Sequence, residues 1–192
     1  MISSEELAET FPIICQGWAA SFILLPNGSR QILSLLLPGD ILSVGLLFGT
    51  RPNFQVEAIT TVHYCTFDRN KFKQALRNAP DVFDRFGRVC VEERAAADQL
   101  IVDLGRRTAL ERIARLILSL ESRLEQRGMV QAQTKEMDFP LRQHHIADAT
   151  GLTPVHVSKM LAEFRRRGMI ELNERSLTVR DPEGLRRSAN LR

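Results

Sequence analysis

The stretch LRQHHIADATGLTPVHVSKMLAEFRRRGMIELNERSLTVR, residues 141–180, decides the architecture. Leu141–Ala149 reads as a short helix with Ile146 and Ala147 facing inward. Thr150-Gly151-Leu152 is a break in which Gly151 supplies the positive φ of a tight corner. Thr153 then offers an N-cap, and Pro154 takes the first helical position, where its missing N–H costs nothing. Val157, Leu161 and Phe164 line one face of this second helix, while His156, Ser158, Lys159, Glu163 and Arg166 occupy the other. Arg165-Arg166-Arg167 suit the negative end of the helix dipole, and Gly168 stops the helix. Met169–Leu172 and Leu177–Arg180 read as strands joined by Asn173-Glu174-Arg175-Ser176.

Helix, glycine turn, second helix and hairpin together make a winged helix-turn-helix. In that geometry the start of the second helix reaches base edges in the major groove of duplex DNA. The hairpin wing would bring Arg175 near a phosphate. The candidate DNA contacts are Gln143, His144, Thr153, Pro154, Val155, His156, Ser158, Lys159, Arg166 and Arg175. Charge distribution agrees: residues 1–104 hold 9 Lys/Arg against 12 Asp/Glu, whereas residues 105–192 hold 17 against 11.

Upstream, Thr108 and Glu111 form a capping box opening a helix with Leu110, Ile113, Ala114, Ile117, Leu120 and Leu124 on one face, ended by Gly128. Gly105-Arg106-Arg107 reads as a hinge, and Met129–Phe139 as loop or irregular hairpin. Before the hinge, Val82, Phe86, Val89, Cys90, Ala97, Leu100 and Leu104 recur at helical spacing from Asp81 to Leu104. So long a helix overhangs a small domain, which makes this seam the candidate homodimer interface; packing within its own domain is the other reading. The first third reads as β: Trp18–Leu25 and Ser29–Leu37 flank the hairpin signal Pro26-Asn27-Gly28, and Pro38-Gly39-Asp40 makes the next turn. Gln55–Thr60 and His63–Phe67 are further strands, and Asp68 caps a helix over Arg69–Asn78.

Gly151-Leu152-Thr153-Pro154-Val155-His156-Val157-Ser158-Lys159 resembles the recognition-helix motif of the Crp/Fnr family of bacterial regulators. The likeness extends through Arg112-Ile113-Ala114-Arg115-Leu116-Ile117 and back to Gly28–Asp40, whose Pro-Gly-Asp turn is similar to one in that family's β-roll. It implies a cyclic-nucleotide-binding-like roll, a long dimer helix and a winged helix in which each subunit reads half a palindrome. Contact with RNA polymerase is likewise implied by the resemblance. The base-reading positions it implies fall on Val155, Ser158 and Lys159, where many members have glutamate first and arginine last. Val155 cannot accept a hydrogen bond from cytosine, and Lys159 lacks the planar fork that arginine offers guanine.

Members that hold cyclic AMP use a glutamate on the ribose and an Arg-Ser pair on the phosphate. Here Val44 stands at the first position and Pro52-Asn53 at the second, with Arg51 one place off, so cyclic AMP is not expected. An N-terminal cysteine cluster for an iron–sulfur centre is absent, so neither cofactor is assigned. Cys15, Cys65 and Cys90 read as small buried hydrophobes rather than a disulfide framework, with oxidant sensing as the alternative. His144, His145 and His156 are explained as polar DNA-facing residues without a metal. No nucleophile–base set, P-loop or carboxylate pair supports an enzyme. Relative to the family pattern the chain starts late, with about 30 or more residues of roll absent: either the start codon is misassigned, or the roll is shortened and opens an edge that a partner must cover. The acidic Met1–Glu6 is unlike a signal peptide and no apolar run reaches a membrane span, so a cytoplasmic protein without membrane association is expected.

The expected architecture is α+β. A partial, jelly-roll-like β-roll spans 1–80, a dimerisation helix and hinge 81–107, and a winged helix-turn-helix 108–192. The expected function is sequence-specific transcriptional regulation by a homodimer on a palindromic promoter site. The rival is a ligand-sensing or interaction module whose winged helix docks a protein.

Overall fold

Phe11 and Ile14 point to opposite sides of the first strand, β1 (Thr10–Gln16), as the two-residue period of a strand requires. Each is buried in a different apolar cluster. This is a computed structural model that describes residues 9–50 and 52–191. The chain divides into two units, 1–100 and 101–192.

In the first unit, β1 pairs antiparallel with β5 (His63–Asp68) as a two-stranded sheet. A three-stranded sheet runs β3 (Arg30–Leu36), β2 (Ala19–Leu24), β4 (Gln55–Ala58), all antiparallel. The hairpin and the Pro-Gly-Asp turn lie where the sequence puts them. Asp40 accepts the Leu37 N–H at 2.7 Å, and its own carbonyl accepts the Ile14 N–H at 2.9 Å. The same turn that ends β3 therefore also fastens β1. At Gly17, where φ is +83°, a Cβ would overlap the Thr61 carbonyl oxygen, so the corner between β1 and β2 needs glycine.

One cluster gathers Phe11, Leu46 and Leu47, the leucines coming from the short helix α1 (Val44–Leu47). Ile13, Phe72 and Leu76 pack against it, the last two from α2 (Arg69–Asn78), which Asp68 caps as expected. Phe86 joins them from α3 (Pro80–Arg106). Gly105 stays inside that helix, so the break is Arg107-Thr108 rather than the expected Gly105-Arg106-Arg107.

The cysteine expectation is overturned. Cys15 and Cys65 are exposed, not buried, and are joined as a disulfide across β1 and β5; Cys90 is free and half-buried. An isolated strand pair with an exposed outer face leaves its side chains in solvent, so apolar neighbours in sequence did not imply burial.

The second unit opens with the capping box at Thr108 and Glu111, which starts α4 (Ala109–Gln126). The Thr108 amide donates to the Glu111 carboxylate at 2.7 Å, and this bond holds that carboxyl below its ordinary range. Ile113, Ala114, Ile117, Leu120 and Leu124 are buried along one face. Then follow β6 (Glu136–Asp138), α5 (Gln143–Thr150), α6 (Pro154–Arg166), β7 (Ile170–Leu172), β8 (Ser176–Val179) and α7 (Pro182–Ser188). The three strands form one antiparallel sheet in the order β6-β8-β7. Asp181 caps α7 by accepting the Gly184 N–H at 2.8 Å.

The Asp103 carboxylate near the end of α3 takes two arginines, Arg107 at 2.8 Å and Arg115 of α4 at 2.9 Å. All three side chains are at most 19% exposed, so removing the shared anion strands two largely desolvated cations. Asp103→Ala should therefore cost about 3 kcal/mol. Urea unfolding of the full chain checks it: Arg107→Ala, which keeps the Arg115 pair, should cost distinctly less.

Candidate nucleic-acid interface

The interface is assembled by a corner. Gly151, at φ +64°, ends α5 in the left-handed conformation and turns the chain towards α6. Thr153 caps α6 by accepting the His156 N–H at 3.3 Å, and Pro154 sits in its first turn. Val157, Leu161 and Phe164 are buried on the underside, within 3% of full burial. The opposite face is left to solvent, with Val155 64% exposed and Thr153, Pro154, His156 and Lys159 exposed beside it. Ser158 is half-buried between the two faces.

His156 is oriented as well as exposed. Its Nδ1 lies 3.2 Å from Thr153 Oγ1, so the capping threonine also engages the ring and leaves Nε2 for an outside partner. Gln143 and His144 are exposed at the start of α5. Arg175 is exposed in the wing turn, which is closed by Asn173 N–H donating to the Ser176 carbonyl at 2.9 Å.

His145 departs from expectation. It is 5% exposed, and its Nδ1 accepts the Arg142 N–H at 3.1 Å and so caps α5. That bond requires an unprotonated Nδ1. Three residues from the helix start, a polar side chain that reaches back to the chain is a capping signal, which also fits the spacing in sequence.

Sequence reasoning missed two further contributors. Arg112 of α4 donates from Nη1 to the Thr150 carbonyl at 3.1 Å, satisfying the end of α5 at the corner. Glu163 accepts from Arg166 Nη2 at 2.7 Å and also pairs with Arg167. Hydrogen bonds from Arg166 first, then Arg167, hold the Glu163 carboxyl down at about 2. The i, i+3 and i, i+4 spacing was visible in the sequence as a helix-face ion pair.

The Crp-like helix-turn-helix domain family matches residues 111–188, and the cyclic nucleotide-binding domain family matches residues 1–79. The transcriptional activatory protein AadR of Rhodopseudomonas palustris is 31% identical over 183 residues, covering 95% of this chain and 74% of that protein. The nitrogen fixation regulation protein FixK of Bradyrhizobium diazoefficiens is 30% identical over 182 residues, covering 95% and 75%. The chain belongs to the Crp/Fnr family of transcriptional regulators. Among solved structures, that of FixK2 from Bradyrhizobium japonicum superposes with a TM-score of 0.76 at 26% identity, over 94% of this chain and 87% of that one. The family consists of DNA-binding regulators and not of enzymes, and this Crp/Fnr chain is one of them.

The α1 segment Val44-Gly45-Leu46-Leu47 carries no acid for a ribose, and its leucines are buried in the core. Pro52-Asn53 brings no cation for a phosphate, and Arg51 lies outside the described residues. Among the described residues, no helix of this Crp/Fnr protein is long and apolar enough to cross a membrane.

Since the Glu163 carboxyl is depressed, its pairs with Arg166 and Arg167 persist at ordinary pH and are lost only as pH falls towards about 2. Glu163→Gln should therefore raise affinity for any duplex and steepen its salt dependence by roughly one to two phosphate contacts. The effect should be equal at mildly acidic and mildly alkaline pH, as salt titrations of DNA binding by fluorescence anisotropy would register.

Proposed function

We propose that this regulator acts as a homodimer on a palindromic promoter site, in the cytoplasm, with each subunit inserting the start of α6 into a major groove. The single observation carrying the reading is the two-faced α6: Val157, Leu161 and Phe164 are buried while Val155, His156 and Lys159 stand exposed above them. His156 and Ser158 can donate or accept at base edges, Lys159 can reach a guanine as a point charge, and Val155 can touch a thymine methyl. Gln143, His144, Arg166 and Arg175 are the phosphate-side candidates. The half-site should therefore differ from that of members with a glutamate in place of Val155.

Pairing is supported by α3. Phe83 and Val91 are 60% and 69% exposed on either side of Gly87, in a shallow apolar groove flanked by Asp84, Arg88 and Glu92. The seam residues Val82, Phe86, Cys90, Leu100 and Leu104 are half-buried, whereas Val89 and Ala97 are exposed. Phe86 meets Phe72 of its own unit at 5.6 Å, so the pairing face is centred nearer Phe83 than the periodicity suggested. Contact with RNA polymerase is proposed because relatives are named as transcriptional activators. Cyclic AMP and an iron–sulfur cluster are not proposed as cofactors, on the residue chemistry already given.

Selection from a random duplex library, followed by footprinting, tests the reading. A two-fold symmetric site should emerge. Lys159→Ala should weaken binding to that site by roughly 10-fold or more with little effect on unrelated duplex, one good base contact being worth about 1–3 kcal/mol. Arg175→Ala should weaken both alike. Phe83→Asp with Val91→Asp should leave a monomer by sedimentation. Asymmetric selected sites, or wild-type binding by both DNA-face variants, would sink the assignment.

A further inference from the structure

Cys15 and Cys65 are the feature that DNA recognition leaves unused. They lie diagonally across the β1–β5 pair, Cys65 being the ladder partner of Ile13, with Cα atoms 6.0 Å apart and a separation of 50 residues. Cys15 occupies the point where the ladder slips, between Ile14 and Gln16, so the disulfide fastens the irregular end of the pair. Both residues are exposed, open to oxidants and reductants alike. Among the described residues the sheet has two strands; β1 is also held on its other side by the Gly39–Leu42 segment, whereas β5 has β1 as its one strand neighbour.

What the clasp fastens leads to α3. Phe67 on β5 stacks on Phe11 of β1 at 5.8 Å; Phe11 meets Phe72 of α2 at 5.0 Å; Phe72 meets Phe86 of α3 at 5.6 Å. Four aromatic rings thus run without a gap from the disulfide-bearing strands to the helix proposed to pair the subunits. The strand β5 also passes directly into α2 through the Asp68 cap, whose carboxylate accepts the Lys71 N–H at 2.7 Å.

Resting on the reading of the chain as a DNA-binding regulator, we propose a second function: Cys15 and Cys65 are a hydroperoxide-responsive dithiol whose closure fixes β1 to β5, seats Phe86, and strengthens DNA binding. A regulator at work on DNA shares the compartment where thiols are kept reduced, and exposed disulfides there are transient and redox-sensing rather than structural. One thiolate attacks a peroxide oxygen, breaking the O–O bond to give a sulfenic acid and, after protonation, water. The other thiol attacks that sulfur, forming the S–S bond and releasing a second water; two thiols are oxidised and one peroxide reduced. A cellular dithiol reverses the step by exchange. Cys90 is not part of it: burial and then Glu93 push its thiol up, which keeps the thiolate scarce.

The test uses the full chain, reduced with a dithiol, desalted, and treated with stoichiometric hydrogen peroxide. Intact mass and peptide mapping should report a Cys15–Cys65 link that dithiol reopens. Hydrogen exchange in α2 and the first turns of α3 should slow on closure. Affinity for the selected duplex should rise about tenfold, within the usual range of coupling between sites. The variant with Cys15→Ser and Cys65→Ser should match the reduced wild type under both treatments, while Cys90→Ser should switch like wild type. If the double variant does not fold, the reduced wild type supplies the same comparison. Failure to form the link with peroxide overturns the proposal, as does unchanged exchange or equal DNA affinity in the two states. Should no duplex be retained in either state, the DNA-binding reading fails by itself, and link formation with slowed exchange still decides the dithiol chemistry.

Discussion

The burial of Val157, Leu161 and Phe164 beneath α6 is the constraint on which the rest of the second unit depends. Without that apolar underside, the polar upper face would have no fixed direction. Helix α6 packs on α4, whose own buried stripe includes Ile113, Ala114 and Ile117. Each fully buried side chain of this size contributes about 1.5–3 kcal/mol of transfer free energy. A few such contacts outweigh the modest helix propensity of a 13-residue segment containing proline, two β-branched residues and a terminal arginine pair. Side chains on the outer face, Val155 among them, can then vary without loss of the fold.

Charge in this unit is less available than its net positive balance suggests. Arg166 and Arg167 are held by Glu163, Arg107 and Arg115 by Asp103, and Arg180 by Glu171. Arg112 is spent on backbone carbonyls at the corner. These pairs differ in kind. Those at Asp103 are largely desolvated and join the end of α3 to α4, whereas those at Glu163 lie at the surface. Lys159 and Arg175 lie exposed outside these ion pairs.

Legibility in the sequence followed the range of the interaction. The Asp68, Thr108 and Thr153 caps, the Pro26-Asn27-Gly28 hairpin and the α5–Gly151–α6 corner all depend on residues within a few positions of one another. Local propensity reads such features well. By contrast, β1 has its partner some fifty residues away and lacks a hairpin signal, and the Cys15–Cys65 link follows only from that pairing. The three-residue β6 is too short and polar to show a period, and becomes a strand only because β8 needs a second neighbour. Helix α7 was legible after all, since Asp181-Pro182-Glu183 is a start signal of the same kind as Thr153-Pro154. His145 misled because a histidine next to exposed histidines reads as surface, whereas its position three residues past Arg142 makes it a cap.

The 27-residue α3 is longer than either unit needs for its own core. At 1.5 Å per residue it spans about 40 Å. Its early turns are held through Phe86 on Phe72, and its last turn through Asp103 on Arg107 and Arg115. Between these anchors Cys90, Gln99 and Leu100 are half-buried, while Phe83, Val91, Ile101 and Val102 remain exposed along the helix. Displacing the Phe86 anchor would alter how the apolar face around Phe83 and Val91, proposed above to pair the subunits, is presented.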